Sequence, residues 1–117
     1  MGKSILKERS FDFALDILKV AKGLMNVEKE YVLSKQLLRS GTAVGALIRE
    51  AEFSQSKADF VHKMSIALKE ANETLYWLEL LVKGELLSLD VFESLHKECG
   101  ELVAMLAASV KTAKSEF

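Results

Sequence analysis

The chain has 117 residues, half of them apolar and none of them proline, with sixteen lysines and arginines against seventeen aspartates and glutamates. This length makes one domain, so residues 1–117 are expected to fold as a single unit, and the near-zero net charge disfavours a strongly cationic nucleic-acid-binding protein. The lone Cys99 excludes an intrachain disulfide and a multi-cysteine zinc site, and no apolar run approaches the ~20 residues of a membrane span. We therefore expect a cytoplasmic protein that makes no membrane contact.

The first two predicted helices run from about Ser4 to Met25 and from about Val27 to Phe53, with Asn26 as the predicted junction. Both show the spacing of three and four residues between apolar side chains that is typical of amphipathic helices. The first helix carries one apolar stripe and a second beside it, formed by Phe11, Leu15, Leu18 and Met25 and by Phe13, Ile17, Val20 and Leu24. The second helix carries a predicted core stripe of Leu33, Leu37, Ser40, Val44, Ile48 and Ala51.

The third predicted helix has clear signals at both ends. Ser56 and Asp59 have the spacing of a capping box, which predicts a helix over 57–83. Gly84 is expected to end it in the manner of a C′ glycine. Its predicted core positions are Phe60, Met64, Ala67, Ala71, Leu75, Leu78 and Val82.

The fourth predicted helix begins after a cap at Ser88 or Asp90 and continues to a lysine-flanked tail. Its core stripe is predicted to be Val91, Leu95, Cys99, Leu102, Leu106 and Val110. Short connections make successive helices antiparallel neighbours. The sequence therefore predicts an all-α fold, an antiparallel up-down-up-down four-helix bundle.

Gly41 and Gly45 lie inside the second predicted helix, where each costs roughly 1 kcal/mol relative to alanine. A missing Cβ lets a neighbouring helix approach closely, and we expect that to be their role. A phosphate-binding loop is disfavoured, because no GK[ST] motif and no preceding strand accompany them.

The second half of the third predicted helix is apolar almost all round. At about 100° per residue, Ile66, Trp77 and Leu80 point nearly opposite to the core stripe. A helix in an isolated bundle needs one buried face, so this second face predicts a subunit interface made by Ile66, Tyr76, Trp77 and Leu80. The alternative is a tryptophan that lies flat on the surface of its own chain.

Two carboxylate-x-x-histidine pairs, Asp59 with His62 and Glu93 with His96, have the spacing found in di-iron bundles. Counting along antiparallel helices separates the two histidines by roughly 20 Å, which is too far for one dinuclear site. We expect no metal and no other cofactor.

Nucleophilic catalysis would need Cys99 or a serine beside a base, but Cys99 falls on the predicted core stripe of the fourth helix, where thiols are usually inert. Glu79 is predicted at the core edge, with Lys35 on the adjacent helix as its partner. No catalytic residue and no small-molecule substrate are therefore expected, and the chain is interpreted as not being an enzyme.

Lys35, Arg39 and Arg49 fall within about an 80° arc of the second helix, an arrangement that could contact phosphates. Glu28 and Glu50 share that arc, so a solvated face of mixed charge is the simpler interpretation. Repetition of these basic residues in a symmetric oligomer would strengthen the possible contact with phosphates.

Three stretches, 31–51, 56–60 and 67–81, resemble the four-helix bundle proteins encoded in intervening sequences of bacterial 23S ribosomal RNA genes. The chain is also similar, more distantly, to accessory proteins of diversity-generating retroelements. The resemblance implies a ring-shaped homopentamer and an association with RNA or a nucleoprotein, and it does not imply catalysis. Leu47, where the family leads us to expect asparagine, and Leu75, where a polar residue is common, depart from the pattern.

The leading hypothesis is a non-enzymatic homo-oligomer, a pentamer by resemblance, that contacts RNA through Lys35, Arg39 and Arg49. A second hypothesis is a protein-interaction module whose Trp77 surface binds a different protein, with no nucleic-acid role. A third, an enzyme or metal protein using the two histidines, ranks last.

Overall fold

Four long α-helices make up the described part of the chain. The computed structural model describes residues 2–116, with side chains from Ile5 to Glu116. The helices are α1 (Gly2–Asn26), α2 (Leu33–Ala51), α3 (Lys57–Lys83) and α4 (Leu89–Ser115), and the described residues form no strand. The predicted all-α fold is confirmed.

The helices pack side by side into a rod of 47 × 21 × 20 Å. Each helix contacts its neighbours in the chain, and α1 also contacts α4, whereas in the described residues neither α1 with α3 nor α2 with α4 forms a contact pair. Connections of five or six residues join helices that pack on each other, so successive helices run antiparallel. The arrangement is therefore a square bundle in which α2 lies between α1 and α3.

The two glycines of α2, Gly41 and Gly45, lie against α1. A Cβ on Gly41 would lie 2.9 Å from both γ-carbons of Ile17, and one on Gly45 would lie 3.3 Å from the backbone oxygen of Ser10. The prediction of a close helix approach is confirmed, and the neighbouring helix is α1.

This contact decides which apolar stripe of α1 enters the core. Ile17 seats over Gly41, so the stripe that contains Ile17 turns inward, with buried apolar residues Leu6, Phe13, Ile17, Ala21 and Leu24. The stripe beside it remains largely outside, because a helix packed on two neighbours has only one inward face. Phe11, Leu15 and Leu18 are exposed.

The predicted core stripes of the other three helices lie largely inside. Their buried members are Leu37, Ser40, Val44, Ile48, Ala51, Met64, Ala67, Ala71, Leu78, Leu95, Cys99, Leu102, Leu106 and Val110. Val91 is exposed, because it lies in the first turn of α4, beyond the reach of its neighbours. Thr74 and Leu81 are buried although the pattern did not place them in the core, and the Thr74 hydroxyl lies 2.9 Å from that of Ser40.

The predicted start of the second helix is wrong by six residues, because 27–32 forms a connection. Lys29 adopts a left-handed backbone with φ 57°, and Glu30 then supplies the cap. The Glu30 carboxylate accepts hydrogen bonds from the backbone N–H groups of Val32, Leu33 and Ser34. Burial by itself raises the pKa of Glu30, but these three donors lower it more, and the pKa lies below its usual value.

α3 ends at Lys83, as the sequence predicts, but the residue that makes the turn is not Gly84. Glu85, not Gly84, takes the left-handed conformation, with φ 63° against −81°. The N–H of Leu86 donates to the oxygen of Leu81, and that of Glu85 donates to Val82, which is a Schellman motif. The expected glycine position is thus held by a residue with a Cβ.

Replacing Glu85 by glycine is expected to stabilise the protein by about 0.5–1 kcal/mol, because glycine adopts this conformation without the steric cost that a Cβ brings. Urea denaturation measures the change. Glu85→Ala keeps the strain while removing the carboxylate, so it should bring no comparable gain. Equal stabilisation by alanine and glycine would trace the effect to charge.

Candidate subunit interface and basic surface

The α3 patch, defined as Ile66, Tyr76, Trp77 and Leu80, is only partly open to solvent. Tyr76 is 57% exposed and Leu80 40%, whereas Ile66 and Trp77 are half-buried. The rings of Tyr76 and Trp77 meet edge to face with centroids 5.0 Å apart. The four residues share one side of α3, and two of them present apolar area to solvent.

Trp77 is fixed toward α2 by a chain of polar contacts. Its Nε1 donates to Glu73 Oε2 over 2.8 Å, and the same carboxylate pairs with Arg39 of α2. The indole therefore does not lie free on the surface. The α3 patch borders α2.

A second exposed apolar surface lies on α1, and sequence reasoning did not identify it as a surface. Phe11, Leu15 and Leu18, here called the α1 stripe, are 51%, 42% and 40% exposed. The available signal was the presence of two apolar stripes on a helix that needs only one. The α1 stripe also borders α2, because the Arg49 guanidinium lies over the Phe11 ring, 5.9 Å from its centroid.

A groove of about 640 Å³ runs along the border between α1 and α2. Its floor is low because Gly45 and Ala46 are small, and Phe11 and Phe53 form apolar walls. Phe53 lies just after the end of α2 and is highly exposed. Phe11 belongs to both the groove and the α1 stripe, and the charged side chains of Lys7, Arg49, Glu50 and Lys63 also line the groove.

The three predicted phosphate-binding residues all lie on α2, but they differ in their surroundings. Arg39 is held by the carboxylates of Glu70, at 3.0 Å, and Glu73. Arg49 packs on the α1 stripe, and Lys35 is exposed with no ion pair among the described side chains. The structure therefore leaves Lys35 and Arg49 more available to an anion than Arg39.

The groups considered for chemistry lie apart. Glu79 is paired with His96 of α4, with 2.9 Å between Oε2 and Nε2, so its predicted pairing with Lys35 is wrong. The reason is rotational, since Glu79 lies on the side of α3 that faces α4 rather than α2. Within residues 5–116, no group of three or more histidine, cysteine or acidic side chains could hold a metal ion.

Cys99 lies in the core, as predicted. Its thiol donates to the backbone oxygen of Ala71, and burial, aided by the charge of Glu98, raises the thiol pKa to about 12. The thiolate that would act as a nucleophile is thus strongly disfavoured.

Ion pairs join α1 to α4 along the seam between these two helices. Arg9 of α1 makes two hydrogen bonds with Glu98 of α4, of 3.0 and 2.9 Å, and also pairs with Glu101. The hydrogen bond from Arg9 lowers the pKa of Glu101. At one end of this seam, an apolar cleft of about 890 Å³ lies above Leu6 and Met64.

The structure is a four-helix bundle with exposed apolar side chains on α1 and α3. The sequence profile described as 23S rRNA-intervening sequence protein matches residues 3–108. This chain belongs to that family, which confirms the resemblance seen in the sequence.

The fold also matches a crystal structure at 1.70 Å resolution of a protein with unknown function from the S23 ribosomal protein family of Bacteroides thetaiotaomicron VPI-5482. The two share 49% identity over 95% of this chain and 99% of the other, with a TM-score of 0.93. No curated protein matches this chain. Of the helices in the described residues, none has the length and apolar character needed to cross a membrane.

Proposed function

We propose that this protein is a non-enzymatic scaffold that assembles with copies of itself into a ring and binds RNA through basic residues of α2. Five is the number of subunits that the family resemblance implies. The observation that carries the proposal is the pair of exposed apolar surfaces, the α1 stripe and the α3 patch, on a chain whose core is otherwise complete. Aromatic and leucine side chains concentrated in this way are typical of subunit interfaces.

The absence of catalysis in this proposal is supported by the chemistry of the side chains. Cys99 is buried with a raised pKa, and His96 is engaged with Glu79 at a distance from His62 in the first turns of α3. These groups do not converge on a common cleft.

Self-assembly is tested by light scattering of the purified protein. The expected mass is near five times the 13.0 kDa of one chain, and Leu80→Glu should lower it to that of one chain. Leu89→Glu is the matched control, because Leu89 is also exposed but lies in the first turn of α4, away from both apolar surfaces. If the wild-type protein has the mass of one chain, the self-assembly hypothesis is rejected, and a different protein is favoured as the partner of the Trp77 surface.

RNA binding is tested by reversing charge on α2. The double variant Lys35→Glu with Arg49→Glu should bind RNA more weakly and with a shallower dependence on salt. The reason is that a protein with fewer phosphate contacts releases fewer counterions when it binds. Lys97→Glu with Lys111→Glu makes the same change of charge on α4 and should bind as the wild type does. Equal RNA retention by wild type and the α2 variant would remove RNA from the proposal and leave the scaffold.

A further inference from the structure

The apolar cleft of about 890 Å³ opens at the end of the bundle where α1 begins and α4 ends. On α4 its lining residues run from Met105 to Glu116, which is a length of about 16 Å along the helix. Ligand pockets in proteins occupy roughly 300–1,000 Å³, so the cleft has the size of a small-molecule site. The described residues that line it include none from the α1 stripe or the α3 patch.

The floor of the cleft is apolar and closed. It is formed by Leu6 of α1, Ile48 of α2 and Met64 of α3, each at most 6% exposed. Met105 of α4 lies at the inner end of the cleft, where its sulfur is 3.5 Å from the guanidinium of Arg9. Methionine side chains are flexible and adapt to apolar ligands of irregular shape. All four helices thus contribute apolar area to one concavity.

The charged residues that line the cleft form two ion pairs. Lys7 of α1 pairs with Glu52 at 3.0 Å, and Lys57 of α3 pairs with Glu116 at 2.9 Å. Glu52 and Lys57 lie at opposite ends of the connection between α2 and α3, so α1 and α4 are each tied to this connection. Two lysines and two glutamates balance, and the lining presents no net charge to a ligand.

This balance of charge favours an uncharged ligand. A charged head group would be attracted by one member of each ion pair and repelled by the other, and burying an ion without a partner is costly. The uncharged polar side chains of Ser54, Gln55, Ser109 and Thr112 also line the cleft. Hydroxyl and amide groups both donate and accept hydrogen bonds, so they suit a polar head that carries no charge.

We propose that the cleft binds an uncharged long-chain lipid of the fatty-alcohol type. Its alkyl chain lies over Leu6, Ile48 and Met64, and its hydroxyl lies among the uncharged polar side chains of the lining. The elongated outline along α4 favours a chain over a compact ring system. The site is separate from the surfaces proposed for self-assembly and for RNA, so a failure of this proposal leaves those two unchanged.

Burial of the chain is tested by calorimetric titration of the intact protein with the primary alcohols octanol, nonanol and decanol. Each added CH₂ should tighten binding about fourfold, because its burial is worth about 0.8 kcal/mol. Absence of binding, or an affinity that does not change with chain length, overturns the proposal.

The position of the site is tested by Ala108→Phe, which places a ring in the cleft. Decanol should bind this variant more than about tenfold more weakly, because exclusion of each CH₂ costs about fourfold. Ala107→Phe is the matched control, since both alanines are exposed on α4 and only Ala108 lines the cleft. Equal effects of the two variants on decanol binding would locate the alcohol elsewhere and overturn the proposal. A mass that Ala108→Phe alone lowers in light scattering would show that a second copy covers the cleft, which also overturns it.

The preference for an uncharged head is tested with decanoate and decylammonium, which should both bind the wild type several-fold more weakly than decanol. Glu52→Gln leaves Lys7 without its partner, so this variant should bind decanoate several-fold more tightly than the wild type does. Lys57→Gln leaves Glu116 without its partner and should favour decylammonium in the same way. Glu28→Gln, at the other end of the bundle, removes the same charge as Glu52→Gln and should change neither affinity. Equal binding of the three probes by the wild type overturns the assignment of an uncharged ligand.

Discussion

Gly41→Ala is expected to destabilise the protein, although alanine is the better helix former. The new Cβ would lie 2.9 Å from two carbons of Ile17, a branched side chain that is fully buried and has no room to move. Overpacking of this kind destabilises a protein by about 1–3 kcal/mol. The higher helix propensity of alanine offsets about 1 kcal/mol of that loss. Urea denaturation should therefore show a net loss of up to about 2 kcal/mol.

The matched control is Gly100→Ala in α4, where an added Cβ meets nothing within 4 Å. This variant is expected to gain about 1 kcal/mol from helix propensity. Combining Gly41→Ala with Ile17→Ala tests the cause, because removing the γ-carbons of Ile17 should remove most of the cost of the alanine at 41, leaving only the Cβ of residue 17 at 3.3 Å. If Gly41→Ala proved as stabilising as Gly100→Ala, the close approach of α1 and α2 would be refuted.

Arg9→Met is expected to lower the free energy of unfolding by about 1–3 kcal/mol, since hydrogen bonds to charged groups contribute that much and the partly buried Arg9 makes several. Its removal also leaves Glu98 and Glu101 beside Asp12 and Asp16, which line the same groove, without their main cation. The apolar stem of methionine preserves most of the packing.

The comparison is Arg39→Met, which removes a similar double ion pair with Glu70 and Glu73. Arg39 is more exposed than Arg9 and joins helices that already pack closely, so its loss should cost no more than about 1 kcal/mol. Equal losses for the two variants at one protein concentration would contradict a special role of Arg9 at the seam between α1 and α4.

The effect of Arg9→Met should depend on pH in one direction. Arg9 lowers the pKa of Glu101 below its usual 4.5, so this contribution to stability is fully present above about pH 4.5 and is lost as the pH falls through the lowered pKa. The stability difference between wild type and variant should shrink as the pH is taken from about 7 to about 3. A difference that stayed constant over this range would assign the effect to packing.

Several elements were predictable because their signals are local. Ser56 and Asp59 mark the start of α3, and the Ser56 side chain does accept the N–H of Asp59. The end of α3 at Lys83 also agrees with the prediction. The start of α2 was not predictable in this way, because Glu30 caps it through three donors in a pattern that no short motif announces.

The candidate site was only partly predictable. Tyr76 and Leu80 are exposed, which the apolar excess on the third helix predicted, but the spacing on the first helix did not show which of its two apolar stripes would be exposed. Spacing shows which residues share a face of a helix and does not show the direction in which that face points.

The sequence by itself determined four amphipathic helices, the antiparallel bundle and the family, because these follow from periodicity, caps and residue identity along the chain. Only the tertiary structure decided how each helix is rotated about its axis. That rotation turned Ile17 onto Gly41, left the α1 stripe outside and paired Glu79 with His96 rather than Lys35. The physical reason is that rotation depends on the fit between two surfaces, and this fit exists only when both helices are in place.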